Sequence, residues 1–287
     1  MTLTTGRTRE QPAWLGTLFD RIVCGVDGTE SSNVAVAQAM RLLCARRILE
    51  LISVVERRPS EGAGRIDSAD LEGQYDKARR ALRDARAQCP RARSAIRFGD
   101  AGPVLVAAAR EAGATLIAVG APAGGRLGGF VLDSAVTYVL HNSPCSVLIG
   151  RQPAEDDPWP RSIVVGHDGS LAAAEAAVVA RELAFRFGAA LRFVVATGGD
   201  PVDVDSLPSD EELDWSSWQP VTALEAASAE CDLLVVGSRG LQGPRALGSV
   251  SEAIGDLAHC SVLVVREPPQ SSQLERGLGD AVPDPEC

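Results

Sequence analysis

Two segments of the chain set a carboxylate in a glycine turn just after an apolar run. Asp27-Gly28-Thr29 follows RIVCGV, and Asp168-Gly169-Ser170 follows SIVVGH. A carboxylate at the carboxyl end of a strand stands where doubly wound sheets bind ligands. The same tripeptides also read as a turn followed by a helix cap, with Thr29 and Ser170 as capping residues. The residues alone support both readings. His167, next to Asp168, has ring nitrogens able to bond a base or a ribose, although a lone histidine is more often incidental. A third segment reads Gly237-Ser238-Arg239-Gly240, seven residues, then Gly248-Ser249-Val250. Glycines so spaced let backbone N–H groups approach an anion at the start of a helix, whose positive dipole end favours it. Arg239 and Arg245 lie within this loop and can offset phosphate charge by bidentate contact. The opposing reading is a strand-to-helix turn that binds nothing. No serine–histidine–aspartate set or carboxylate pair has catalytic spacing, so no catalytic residue is named.

Those segments belong to an internal repeat. RIVCGVDGTESSNVAVAQAMRLL at Arg21 answers SIVVGHDGSLAAAEAAVVARELA at Ser162, with Asp27 and Asp168 141 residues apart. GPVLVAAAREAGATLIAVG matches QPVTALEAASAECDLLVVG, with Gly120 and Gly237 at an offset of 117. CSVLIG at Cys145 matches CSVLVV at Cys260 at an offset of 115. The falling offset places a loss of 24 residues between the second strand of the second copy and Pro220, and of two more in its glycine-rich loop. Ala35, Ala39 and Leu42, like Ala176, Ala180 and Leu183, fall on one helical face. In the first copy the strands are expected at 21–26, 49–55, 94–98, 116–120 and 146–150, with a charged amphipathic helix over 67–89. Near-continuous apolar strands alternating with helices predict an α/β fold of two tandem doubly wound parallel-sheet domains, Rossmann-like. The domains are expected at 19–152 and 161–266, joined by a linker at 153–160 and flanked by tails at 1–18 and 267–287. In place of the long helix the second copy has 200–214, with seven acids and no base. That stretch is expected to be a solvated loop, with Trp215 and Trp218 filling the space left by the missing helix.

Composition narrows the function classes. The 287 residues carry a formal charge of −10, which is +4 over 1–150 and −14 over 151–287. An acidic chain lacks the basic surface that general nucleic-acid binding needs. No apolar run is long enough to cross a membrane, and the start has no signal-like apolar core, so no membrane association and a cytoplasmic location are expected. Seven cysteines without a C-x-x-C pair and three histidines apart from them fit neither a zinc site nor a disulfide framework. Cys24, Cys145 and Cys260 read as small buried hydrophobes. Lys77 is the one lysine, which excludes a phosphate loop of the G-K-[ST] kind.

The ordered set of the I-V-x-G-x-D-G-[ST] strand and turn, its helix, the apolar strand ending in Gly-Ser or Gly-Ala, and the C-S-V-L strand resembles the universal stress protein family. It occurs twice and covers most of 20–266. The resemblance implies an adenine nucleotide hydrolase-like fold whose copies pair through their last strands, here Val147–Ile149 and Val262–Val264. It also implies ATP as a regulatory ligand, with Mg²⁺ as the ion that accompanies it. The family's ATP-binding members carry G-x2-G-x9-G-[ST], so the second copy keeps every glycine but is two residues short. In the first copy Ala123 and Asp133 stand at glycine positions, and Asp133 reads as the cap of the following helix. The implied nucleotide-binding set in the second copy is Gly166, His167, Asp168, Ala196, Gly237, Ser238, Arg239, Gly240, Gly248, Ser249 and Val250. In the first copy Gly25, Asp27, Val54, Gly120 and Ser134 form a weaker set. The expected function is that of a stress-response protein, not an enzyme, whose nucleotide sits in the second copy. Two alternatives compete: an interaction scaffold with decayed phosphate loops whose acidic stretch meets an unknown basic partner, and a slow ATP hydrolase. Beyond the internal pairing, a homodimer of whole chains stays open.

Overall fold

The computed structural model describes residues 18–43, 48–56, 68–121, 134–153, 159–198, 202, 204, 207–208, 213–238 and 249–266. In the first repeat the elements are β1 (Arg21–Gly25), α1 (Glu30–Leu42), β2 (Ile48–Val55), α2 (Ser68–Gln88), β3 (Arg93–Phe98), α3 (Ala101–Ala112), β4 (Leu116–Gly120), α4 (Ser134–Asn142) and β5 (Ser146–Gly150). In the second they are β6 (Ser162–Gly166), α5 (Leu171–Phe187), β7 (Ala190–Ala196), β8 (Leu213–Ser216), α6 (Pro220–Ser228), β9 (Leu233–Gly237), α7 (Ser249–Leu257) and β10 (Ser261–Val265). The first-repeat strands and the long helix fall within one residue of the sequence expectation.

The turn chemistry explains the helix starts. Thr29 and Ser170 are both N-caps in extended backbone, each side chain accepting from the N–H three residues on. Apolar alternation along the strands then fills both faces of the sheet. Ile22, Cys24, Leu116, Leu148, Leu233 and Leu263 face one core, closed by α1, α2 and α5. Val23, Ile117, Val147, Ile149, Leu234 and Val262 face the other, closed by α3, α4, α6 and α7. Each core runs through both repeats.

All ten described strands join in one sheet, in the order β3-β2-β1-β4-β5-β10-β9-β6-β7-β8. Neighbours are parallel within each repeat and antiparallel at one place, β5 against β10, where Leu148 faces Leu263. The expected pairing of the last strands is borne out. Around it two arginines act reciprocally. The Arg151 guanidinium, just after β5, donates to the carbonyls of Gly255 and Asp256 at the end of α7 and to that of Cys260 just before β10. The Arg266 guanidinium, just after β10, donates to those of Ser143 and Leu140 at the end of α4. Ser261 and Ser146 complete the exchange, each accepting the backbone N–H of the opposite arginine. Cationic donors thus satisfy helix carbonyls that have no partner within their own helix.

Two expectations are corrected. The region read as a loop up to 214 holds a strand at its end, since Leu213 to Ser216 pair parallel with Phe193 to Ala196. The second repeat has therefore lost its α2 and kept its third strand; most of 200–212 lies outside the described residues. Trp215 and Trp218 do not fill the vacated space, being 50% and 55% exposed. β8 is held in the sheet by its parallel pairing to β7, and Trp215 on it is left half-exposed. Trp159, in the expected linker, is buried, and its indole N–H donates to the Asp232 carbonyl at 3.1 Å. Cys24, Cys145 and Cys260 are buried as expected. Burial pushes the Cys145 thiol up to about 12, and the Cys231 and Cys260 sulfurs lie 3.5 Å apart as free thiols.

Replacing Arg266 with methionine keeps the stem and removes the donors. We expect urea unfolding to show a loss of about 2–3 kcal/mol, the scale of buried carbonyls deprived of a charged partner. Arg192→Met, at an exposed pair with Asp214 and Glu230, is expected to cost under about 1 kcal/mol. Equal losses would contradict the seam's importance.

Candidate functional site

In each repeat the strand order reverses between the first and fourth strands, β1 and β4 or β6 and β9. Such a switch point opens a crevice at the carboxyl ends of the strands. Both crevices are present. The second-repeat cavity has a volume of about 650 Å³ and brings together Gly166, His167, Asp168, Ala196, Gly237 and Val250. The first-repeat cavity, about 480 Å³, brings together Gly25, Asp27, Val54 and Gly120. Both volumes lie in the range of small-molecule sites.

The glycines at the strand ends are needed first for packing. A Cβ on Gly237 would lie 2.3 Å from the Ala172 carbonyl oxygen, and one on Gly120 would lie 2.5 Å from the Ser32 nitrogen. The start of α5 or α1 rests directly on each. Gly166 and Gly25 are matched in the same way: a Cβ would meet Leu224 and Val236 in one repeat, Leu105 and Val119 in the other. This close approach brings the helix N-termini, with their positive dipole ends, to the cavity mouths. The first turn of α5 carries no acid, whereas that of α1 carries Glu30.

The two aspartates share one geometry. Asp168 Oδ1 accepts the Ser170 N–H at 3.0 Å, and Asp27 Oδ1 accepts the Thr29 N–H at 2.8 Å and its hydroxyl at 2.6 Å. The turn role is thus observed, and each residue also lines its cavity. Burial pushes the Asp27 carboxyl up, but the Thr29 and Ser32 bonds and the charge of Lys77 together hold it below the usual carboxylate range. His167 is buried, its ring tilted against Phe193 at 6.4 Å. Its Nδ1 accepts the Gly169 N–H at 3.1 Å, which leaves the proton of the neutral ring on Nε2 as a donor.

Of the remaining expected residues, Ser238 is buried, does not line the cavity, and links its backbone N–H to the Val265 carbonyl. Ser249 and Ser134 begin α7 and α4. Arg239, Gly240 and Gly248 lie outside the described residues, as do Ala123, Asp133 and Arg245. Sequence reasoning missed Ser251, whose hydroxyl donates to the Gly237 carbonyl at 2.9 Å and ties α7 to β9 beside the cavity. It missed Gln219 and Gly198 at the mouth of the same cavity. It also missed Lys77, carried by α2 to the rim of the first. Ser251 carries a usable signal, three residues after Gly248 at a helix start; Lys77 carries none, because only the crossover brings it to the cavity. Among the described residues no group of histidine, cysteine and carboxylate side chains is arranged to hold a metal ion.

Burial holds the His167 pKa below its ordinary 6.5, with Asp168 opposing the shift and Arg181 adding to it. Below that value the unfolded chain binds more protons than the folded one, so stability is lost as the pH falls from 6.5 through the lowered pKa. Replacing His167 by valine, the residue at its first-repeat counterpart Val26, is expected to flatten this part of the unfolding profile relative to wild type. Denaturant midpoints measured from neutral to mildly acidic pH check it; an unchanged slope would contradict it.

Comparison with known proteins places this geometry. The family model described as the universal stress protein family matches residues 18–151 and 208–266. The chain is 29% identical over 292 residues to universal stress protein Rv2623 of Mycobacterium tuberculosis, covering 86% of this chain and 96% of that one. It is 28% identical over 269 residues to Rv2624c of the same organism, covering 85% and 96%. Among solved structures, a universal stress protein from Archaeoglobus fulgidus superposes with a TM-score of 0.70 at 18% identity, over 87% of this chain and 97% of that one. A functionally unknown protein from Pseudomonas aeruginosa PAO1 does so with a TM-score of 0.63 at 17% identity, over 90% and 96%. These structures share the fold. With both family segments matched and the repeat visible in the sheet, the chain belongs to the universal stress protein family.

Proposed function

We propose that the protein binds an adenine nucleotide, ATP, as a regulatory ligand in its second repeat, and that it acts in the stress response by presenting a ligand-dependent surface rather than by catalysis. The observation that carries the reading is the cavity of about 650 Å³ at the second switch point, where Gly166, His167, Asp168, Ala196, Gly237 and Val250 converge beside the acid-free start of α5. Val194 and Leu224 line this cavity with apolar surface for a base, and Asp168 and His167 are polar residues of the same lining. The Gly237–Ser249 segment supplies glycines and two arginines for the phosphates. Mg²⁺ accompanies the nucleotide as a counter-ion.

Two differences favour this cavity over its twin. It is the larger, about 650 against about 480 Å³. The first repeat also has Asp133 and Pro122 where the second has glycine and an N–H donor. An added carboxylate 4 Å from a phosphate costs about 1 kcal/mol in water and about 4 at an effective dielectric of 20.

Thermal unfolding with and without ATP tests the assignment. At a hundredfold excess over Kd a bound nucleotide stabilises by about 2.7 kcal/mol. Ala196→Phe, which fills the second cavity, is expected to abolish this gain, and Val54→Phe in the first is expected to keep it. The opposite pattern, or no gain in wild type, would overturn the proposal.

A further inference from the structure

Among the described residues the single sheet ends on two strands with one pairing partner each, β3 on one side and β8 on the other. The sequence segments that lead into or form these ends are opposite in charge. From Lys77 to Arg97, along α2 and β3, there are eight basic residues and one acidic. From Asp200 to Asp214, leading into β8, there are seven acidic residues and no basic one. The basic end holds a groove of about 560 Å³ between α2 and β3, lined by Tyr75, Arg79, Arg83, Arg86 and Ile96. The three arginines are exposed, and none is ion-paired among the described residues.

Both ends also expose aromatic surface. At β3, Phe98 (47% exposed) and Tyr75 (40%) stack at 6.4 Å with planes 7° apart. At β8 stand the half-exposed Trp215 and Trp218. Exposed aromatics within a charged surround are the usual anatomy of a protein interface, and a bare strand edge is a template for pairing with another chain.

We propose that the occupant of the α2–β3 groove is the acidic β8 end of a second copy of this chain, so that the protein self-associates head to tail. Charge selects this arrangement. Joining β3 to β3 would set the two basic ends together, and joining β8 to β8 the two acidic ends. Joining β8 to β3 sets acid on base. Strand direction agrees: the first-repeat strands run antiparallel to those of the second, so a translated copy sets β3 antiparallel to β8, the relation β5 and β10 already have. The contact is heterologous and does not close on itself, so it builds chains of copies rather than a closed dimer.

Sedimentation velocity of the full chain over a range of concentrations tests this. At about 0.01 M salt, where screening reaches about 30 Å, the sedimentation coefficient is expected to rise with concentration; at about 1 M, where it reaches about 3 Å, the rise is expected to disappear. The triple variant Arg79→Glu, Arg83→Glu, Arg86→Glu and the triple variant Asp210→Lys, Glu211→Lys, Glu212→Lys are each expected to stay monomeric alone. Circular dichroism checks that both fold. Mixing the two restores acid on base and is expected to restore association. A wild-type chain that stays monomeric at low salt, association that ignores salt or the reversals, or a mixture that does not associate would each overturn the proposal. None of these readouts requires nucleotide.

Discussion

The antiparallel contact between β5 and β10 is the constraint on which the rest of the molecule depends. Each repeat taken alone would end in an apolar edge strand, here SVLIG and SVLVV; in the paired sheet every residue of both strands is buried. Left open, either edge would be a site of uncontrolled association. Setting the two edges against each other hides both and extends each core across the seam. The arginine exchange ties the two repeats across the seam: Arg151 reaches the end of α7, and Arg266 the end of α4. Gln38 adds a tie from α1, donating to the Arg151 carbonyl and accepting from the Ser261 hydroxyl. The crevices then sit at fixed positions on one sheet.

Within that symmetric frame the repeats have diverged in sequence and in cover. The first keeps α2, which shields β2 and β3, brings Lys77 to the rim of its cavity and makes that end of the sheet basic. The second replaces the helix with an acidic crossover, which leaves β8 bare on one face and Trp215 exposed. The loss of the helix has not removed the strand, which stays paired in parallel to β7. The glycine-rich loop diverges the other way, with all three motif glycines kept in the second repeat and two of the three replaced, by Ala123 and Asp133, in the first. Loop composition and charge are thus distributed unequally along a chain whose strand order is the same in both repeats.

Much of this was legible in the residues because it depends on local pattern. The repeat, the strands and helices of the first copy and the pairing of the last strands follow from apolar periodicity and constant offsets. Asp27 and Asp168 were legible only as having two roles, and the structure shows why: one carboxylate oxygen holds the turn while the residue lines the cavity. β8 was hidden because four residues, LDWS, with one face uncovered, carry no clean alternation beside an acidic run. The packing role of Gly120 and Gly237 was hidden because a glycine required by an approaching helix and one required by a phosphate look alike in sequence. Lys77 and Ser251 reach their cavities through crossovers and helix starts that spacing alone does not resolve. The arginine clamp spans more than a hundred residues in each direction and has no local signal.

The most direct test of the functional reading is the number of nucleotides bound per chain. Calorimetric titration of the purified protein with ATP and Mg²⁺ should give one site per chain. Two equivalent sites would contradict the assignment to the second repeat, and no heat of binding at any accessible concentration would contradict nucleotide binding itself.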